Sequence, residues 1–592
     1  MRFLGASLSS AGKRVVVQAE AEVASESPRP QTRAAVDPKT VALALGFGAV
    51  ATCLGAGVVW WLIGRPAAGI DDAYITLVYG RNIAAGHGYV YTPGFEHVEG
   101  STSLLWTLVA AVAARASARP ELVLLAASLA ATAVAIACFL LTVDRLVALR
   151  APGSRVAALG LCALWVLAQP DFFAWNALTL MDSAVWSMLV SIAMLVLVRD
   201  ATCESLPDTG LGPALVLAAM ALARPEATVL VPLLLVLTLL ALPRSWAARA
   251  LGRRYAPALA AFAAVELGLW LFRLAYFGYP LPNTYYVKAP ALLYALEKGL
   301  GYLAWFARAR PWEVPILAAA GVGFVAAAPD VVRPRGLSDP ADRGAWLVAG
   351  TVLAGLALPL PTGGDGYGAF RLLQPFALFF AAPAILAMVS SAALERLWRR
   401  SALVRVGAGA LAAAALVGVA HRFAGDNVLG GEFTAASDGQ RAGAVLSRAV
   451  DGSAPAPTVG VIAAGGLAWT YPGRVVDLLG LNWTEMAHAP GSREGVRHGH
   501  GAFQPEVFWR YAPDILVLEF PQATRRIASE TELRTDFALE VLKGLPASAR
   551  FAQAYTAGCL SDGGEVVSGY FSRSWLARAE PEAFSPAPCV AP

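Results

Sequence analysis

Long apolar blocks separated by arginine-rich connectors constrain this chain more than any other feature. The blocks lie near 41–64, 121–143, 154–169, 180–198, 211–224, 226–242, 256–278, 312–328, 345–361, 371–391 and 404–421. A backbone placed in hydrocarbon must satisfy its own N–H and C=O groups, so such blocks read as membrane-spanning helices. Composition agrees: 57% of the 592 residues are apolar and only 15% charged, against about 45–50% and about 25% in soluble domains. The mean hydropathy is +0.56. The net charge of +4 is small and its arginines cluster at block ends, which is a topology signal and no nucleic-acid footprint.

The basic connectors 144–155, 243–254, 331–343 and 395–405 belong on the cytoplasmic side by the positive-inside rule. That placement works with eleven spans, a cytoplasmic N-terminus and an outer C-terminus. Residues 1–40 carry Arg2, Lys13, Arg14, Arg29, Arg33 and Lys39 and read as a disordered cytoplasmic leader. The apolar stretch Leu104–Ala114 is too short to cross a bilayer; as an interfacial or re-entrant helix it leaves 65–120 outside. Proline in Arg224-Pro225-Glu226 breaks the helix there, and two ionised side chains place that turn at the outer surface. The bundle thus occupies 41–421. From 422 to 592 polar stretches alternate with short apolar runs (Thr458–Ala463, Val475–Leu479, Asp514–Phe520) and one helical stretch, Gly439–Val450. These suggest an α/β domain outside the membrane. Cys559 and Cys589 lie in it and are expected to pair there. Cys53, Cys138, Cys162 and Cys203 read as inert thiols, and no cysteine spacing suggests zinc.

Four segments gather the polar residues on the outer side. The first is Asp71-Asp72-Ala73-Tyr74, followed by Arg81-Asn82, His87 and Glu96-His97-Val98-Glu99. Adjacent carboxylates beyond a spanning helix either cap a helix N-terminus or, partly buried, serve as a general base. The second is Asn176–Asp182, where Asp182 alone reads as a cap. The third is Leu281-Pro282-Asn283-Thr284-Tyr285-Tyr286-Val287-Lys288; Lys288 either meets a phosphate or snorkels to headgroups. The fourth is Gly363-Gly364-Asp365-Gly366-Tyr367-Gly368 with Arg371, a fork for phosphate oxygens or an interfacial anchor.

The run from Asp71-Asp72-Ala73-Tyr74-Ile75 through Gly86-His87-Gly88, Pro93-Gly94 and Val98-Glu99-Gly100 to Thr102-Ser103-Leu104-Leu105-Trp106-Thr107 resembles the first outer loop of GT-C glycosyltransferases. Within that class it is most similar to mycobacterial terminal arabinofuranosyltransferases. Further matches follow in chain order: Arg224-Pro225-Glu226, Leu281–Tyr286, Gly363-Gly364-Asp365 with Arg371, Val476–Leu481 and His498-Gly499-His500.

The resemblance implies a polytopic helical bundle of the GT-C type in a bacterial plasma membrane, working as a monomer. It implies a polyprenyl-phosphate sugar donor and a cell-envelope glycan acceptor, with inversion at the anomeric carbon. Asp71 or Asp72 would be the base, and Arg371 and Lys288 would meet the donor phosphate. Substrate contacts would come from Tyr74, Arg81, His87, Glu99, Asp182, Arg224, Glu226, Asn283, Tyr285 and Asp365. Some members use a divalent cation (Mg or Mn) and others none, so the metal stays open. The rival reading is a transporter or flippase of lipid-linked sugars. That class keeps its ionisable groups near the bilayer midplane, often in two related halves, whereas here the acids lie at span ends and no repeat is seen.

Overall fold

The computed structural model describes residues 37–203, 210–288, 291–332, 337–391, 402–426, 429–450, 455–493 and 500–589. The expected leader therefore falls almost wholly outside the described residues. The chain divides into two units, Met1–Leu43 and Ala44–Pro592; of the first, only the start of helix Pro38–Leu62 is described.

Every apolar block of the sequence lies on helix. Seven helices are long and apolar enough to cross a membrane: Pro38–Leu62, Pro120–Arg150, Ser183–Ala201, Arg244–Tyr276, Glu313–Val331, Pro340–Thr362 and Gly368–Val389. An eighth is added if Pro152–Leu167 is counted with Pro170–Leu178, across a bend of 65°. Of the eleven expected spans, seven or eight meet this test among the described residues. The reason is length. Helices Leu211–Ala223 and Ala227–Ala241 have 13 and 15 residues, and at about 1.5 Å per residue neither spans the roughly 30 Å hydrocarbon core. Helix Leu104–Ala116, with 13 residues, is short in the same way, whereas helix Ala402–Asp426 has 25.

The basic connectors converge at one end of the bundle. Arg150 pairs with Asp342 at 2.9 Å, Arg155 with Asp144, and Arg254 with Asp200. Arg244 donates to the Val331 carbonyl at 2.7 Å, and Arg343 lies over the Trp246 ring. The connector 395–405 is mostly outside the described residues.

At the other end sit the first loop, the Arg224–Glu226 turn, the segment 279–288, the turn 363–371 and the C-terminal domain. Helix Ala402–Asp426 runs through position 422, so the change in composition precedes the end of that helix. After helix Gly430–Ala449 comes a six-stranded mixed sheet of β1 (Val459–Val461), β2 (Val475–Asp477), β3 (Ile515–Val517), β4 (Tyr555–Asp562), β5 (Glu565–Ser572) and β6 (Phe584–Pro586), in the order β2-β1-β3-β5-β4-β6. The first three strands pair in parallel and the rest antiparallel. Short apolar runs buried on both faces suit the parallel part. Gly563 and Gly564, at φ 55° and 88°, close the β4–β5 hairpin with the left-handed pair a tight turn requires. Cys559 and Cys589 are joined in a buried disulfide with Cα atoms 6.1 Å apart.

Candidate active site

Helix Asp71–Ala84 starts with both aspartates in its first turn, where carboxylates oppose the positive end of the helix dipole. The two then diverge, because successive helical side chains point about 100° apart.

Asp71 is buried, and each of its oxygens accepts a backbone N–H, from Gly465 at 2.9 Å and Gly466 at 2.7 Å. Those donors open helix Gly466–Thr470 of the C-terminal domain. Burial pushes the Asp71 pKa up to about 6 against these bonds. Asp71 is a latch between the first loop and the C-terminal domain.

Asp72 faces elsewhere. Its carboxylate accepts the Tyr367 hydroxyl at 3.0 Å and lies 3.8 Å from an Arg371 nitrogen, with 22% of the side chain open. Arg371 is forked on Asp365 at 2.6 and 2.7 Å and stacks 4.6 Å from the Tyr367 ring centre and 5.4 Å from that of Trp175. Burial works against the Asp365 charge, but Arg371 and Lys288 hold its pKa below the usual carboxylate value. Beside this group Arg224 bridges Asp182 at 3.2 Å and Glu226 at 3.1 Å, and its charge and that of Arg371 act on one another. One Asp182 oxygen is buried and has no hydrogen-bond partner among the described residues.

The cluster therefore joins Asp72, Asp182, Arg224, Glu226, Lys288, Asp365 and Arg371, drawn from five separate stretches of chain. It also contains Glu432, which sequence reasoning missed. This residue sits in the first turn of helix Gly430–Ala449. Burial and the charges of Asp72 and Asp71 push its pKa up to about 7. Glu432 stands outside any matched motif, just past the last apolar block, so no sequence pattern marked it.

The other candidate residues are occupied elsewhere. Glu99 forms a buried fork with Arg273 at 2.8 and 3.1 Å. Arg81 donates to the carbonyls of Trp469 and Ala468 and lies over the Trp469 ring, so it closes the C-terminal end of the helix whose N-terminal end holds Asp71. Tyr74 donates to the Ala68 carbonyl and packs on Trp469. Asn283 donates to the carbonyls of Gly480 and Leu481 at 2.7 and 2.9 Å. Tyr285 is exposed against Tyr286, and His87 is exposed where the first-loop helix ends. Of the tail motif, His498 and Gly499 lie outside the described residues.

The segment 279–288, which carries Lys288, is held by the C-terminal domain throughout. Besides the Asn283 bonds, Arg493 donates to the Tyr286 carbonyl at 2.8 Å, and His488 lies between the rings of Tyr279 and Tyr286. The acids do not converge as a ligand set: among the described residues no three His, Cys, Asp or Glu side chains are placed to share a metal ion.

The crystal structure of ArnT from Cupriavidus metallidurans bound to undecaprenyl phosphate superposes with a TM-score of 0.53 at 13% identity, over 89% of this chain and 98% of that one. The chain has the fold of that ArnT. The apo state of the same ArnT gives a TM-score of 0.44 at 15% identity, over the same shares of the two chains. No family model and no curated protein matches the sequence. In this fold the polar cluster sits where the first loop, the turn 363–371 and the C-terminal domain meet.

Proposed function

We propose that this protein is a membrane glycosyltransferase that moves a sugar from a polyprenyl-phosphate donor to a hydroxyl of a cell-envelope glycan. The observation that carries the reading is the Asp72–Arg371 pair: a partly open carboxylate beside a guanidinium that is itself fixed by Asp365. The ArnT crystal structure of the same fold holds undecaprenyl phosphate, which supports a lipid-phosphate donor.

Arg371 and Lys288 neutralise the donor phosphate. Asp72 accepts the proton of the acceptor hydroxyl as its oxygen attacks the anomeric carbon from the face opposite the phosphate. The bond from that carbon to the phosphate oxygen breaks, leaving polyprenyl phosphate and an inverted glycoside, with the proton on Asp72. Both Asp71 oxygens already accept backbone N–H groups, so Asp71 holds the loop and Asp72 is the base. Glu432 has the position to receive a second acceptor hydroxyl. The arabinan-capping resemblance makes arabinofuranose the first sugar to try. The positive-inside rule puts the basic end of the bundle in the cytoplasm and this site, with the C-terminal domain, on the outer face.

The test is sugar transfer in nanodiscs from a panel of polyprenyl-phosphate sugars, beginning with the arabinofuranosyl donor. Wild type gives product and Asp72→Asn loses it by about a hundredfold or more. Undiminished transfer by Asp72→Asn would remove the base assignment. Lipid binding with no product from any donor would replace the enzyme with a carrier.

A further inference from the structure

The backbone that delivers Arg371 is irregular. Ala369 and Phe370 are consecutive non-glycine residues with φ of 56° and 49°, a left-handed pair that L side chains adopt only where the surroundings over-determine it. The surroundings here do so twice. Each carbonyl from Gly368 to Phe370 has a side-chain donor: Trp175 to Gly368 at 3.1 Å, and Gln374 to Ala369 at 2.8 Å and to Phe370 at 3.3 Å. The Phe370 ring is 2% exposed and boxed by Trp305 at 4.7 Å, Phe306 at 5.1 Å and Tyr302 at 5.7 Å, with the Arg310 guanidinium 5.7 Å from its centre.

Three walls of that box come from one helix, Leu292–Ala309. It buries Tyr302 and Phe306 toward the bundle and leaves Leu292, Leu293 and Leu300 exposed on its other side. It is seated closely: a Cβ at Gly299 would lie 2.6 Å from the Leu360 Cα, and one at Gly364 would lie 2.5 Å from the Tyr302 Cβ. Nothing in the proposed chemistry uses this helix or Phe370. Yet the direction of the Arg371 side chain follows from the two left-handed residues before it, since an ordinary helix through 369–371 would rotate it elsewhere.

We propose that Phe370 is a positioning residue: held in its aromatic box, it keeps the 369–370 backbone left-handed and so aims Arg371 at Asp365, Asp72 and the donor phosphate. The proposal rests on the reading of Arg371 as the phosphate-binding cation, and the test separates the two.

The probe is tritiated undecaprenyl phosphate, bound to the full chain in nanodiscs. Phe370→Ala weakens binding tenfold or more. Ala369→Gly, which accepts a positive φ without cost, binds as wild type. Ala369→Val, which keeps the ring but resists the left-handed backbone, weakens binding as Phe370→Ala does. Ala369→Gly placed in the Phe370→Ala background recovers at least threefold, which a merely collapsed core would not do. If Phe370→Ala does not survive purification, the Ala369 pair alone decides, because its ring box is intact. Wild-type binding by Ala369→Val and Phe370→Ala, with binding lost in Arg371→Ala, overturns the positioning role and keeps the phosphate reading. Wild-type binding by Arg371→Ala overturns both.

Discussion

Replacing Gly465 with alanine tests how the first loop is held. A Cβ at this position would sit 1.8 Å from the Asp71 carbonyl oxygen and 3.1 Å from the Ile75 nitrogen. Both are backbone atoms of a helix, so neither turns aside as a side-chain tip would. Restoring a tolerable contact moves the loop by at least about 1.2 Å. The bonds from Gly465 and Gly466 to Asp71, now 2.9 and 2.7 Å, then pass out of hydrogen-bonding range. Bonds to a charged group contribute about 1.5–3 kcal/mol each, so the change costs roughly 3–6 kcal/mol and leaves a carboxylate buried without partners. That is a large part of a typical folding stability of about 5–15 kcal/mol. Limited trypsinolysis in nanodiscs reads it directly: Gly465→Ala is cut at Arg441 and Arg448 at least tenfold faster than wild type, and sugar transfer falls with it. Gly431→Ala, where a Cβ meets nothing within 4 Å, is the control and behaves as wild type. Wild-type proteolysis and wild-type transfer by Gly465→Ala would refute the latch.

Three further outcomes are expected. Arg371→Lys keeps the charge but loses the fork on Asp365 and the stack on Tyr367; undecaprenyl phosphate binding, measured by titration, weakens by about tenfold. Asp477 accepts three hydrogen bonds from Leu479 and Asn482, yet burial raises its pKa to about 6. A carboxyl raised on folding opposes stability above its folded pKa, and this opposition fades as pH falls from about 6 toward 3.8. Melting temperature therefore rises as pH is lowered from about 7.5 to about 5, and Asp477→Asn shows a shallower rise. Cys589→Ser opens a loop with a sequence separation of 30 and lowers the stability of the C-terminal domain by about 3–4 kcal/mol, seen as an earlier melting step. Peptide maps with and without reductant report the bond itself.

Hydrophobic blocks were a reliable guide to helices because burial in a bilayer needs only length and apolarity. The same criterion does not decide the span count, since the two helices flanking Arg224-Pro225-Glu226 are apolar but short. The runs around Val459, Val475 and Ile515 became β1, β2 and β3, as continuous β-branched stretches do when both faces are covered. Asp72, Asp365 and Arg371, which stand in the sequence beside glycine or helix-start signals, lie together in the candidate site, whereas Asp71 is held by the C-terminal domain. The site was not legible where a charge meets a partner far along the chain. Glu99 looked like a ligand until Arg273 occupied it, and Arg81 until the carbonyls of Ala468 and Trp469 did. The left-handed backbone at Phe370 was not legible either, because a positive φ has no sequence signature outside glycine, asparagine and aspartate.

The latch also sets a clock. Gly466, the partner of Asp71, lies 395 residues further along the chain and so is made later. At roughly 5–20 residues per second, the first loop waits on the order of tens of seconds before the domain that clasps it exists. The segment with Lys288 waits likewise for Gly480 and Arg493. A chain interrupted before Gly465 would therefore hold the helices without the clasp on Asp71, and on the proposed reading sugar transfer would wait until the C-terminal domain has been made and folded onto the first loop.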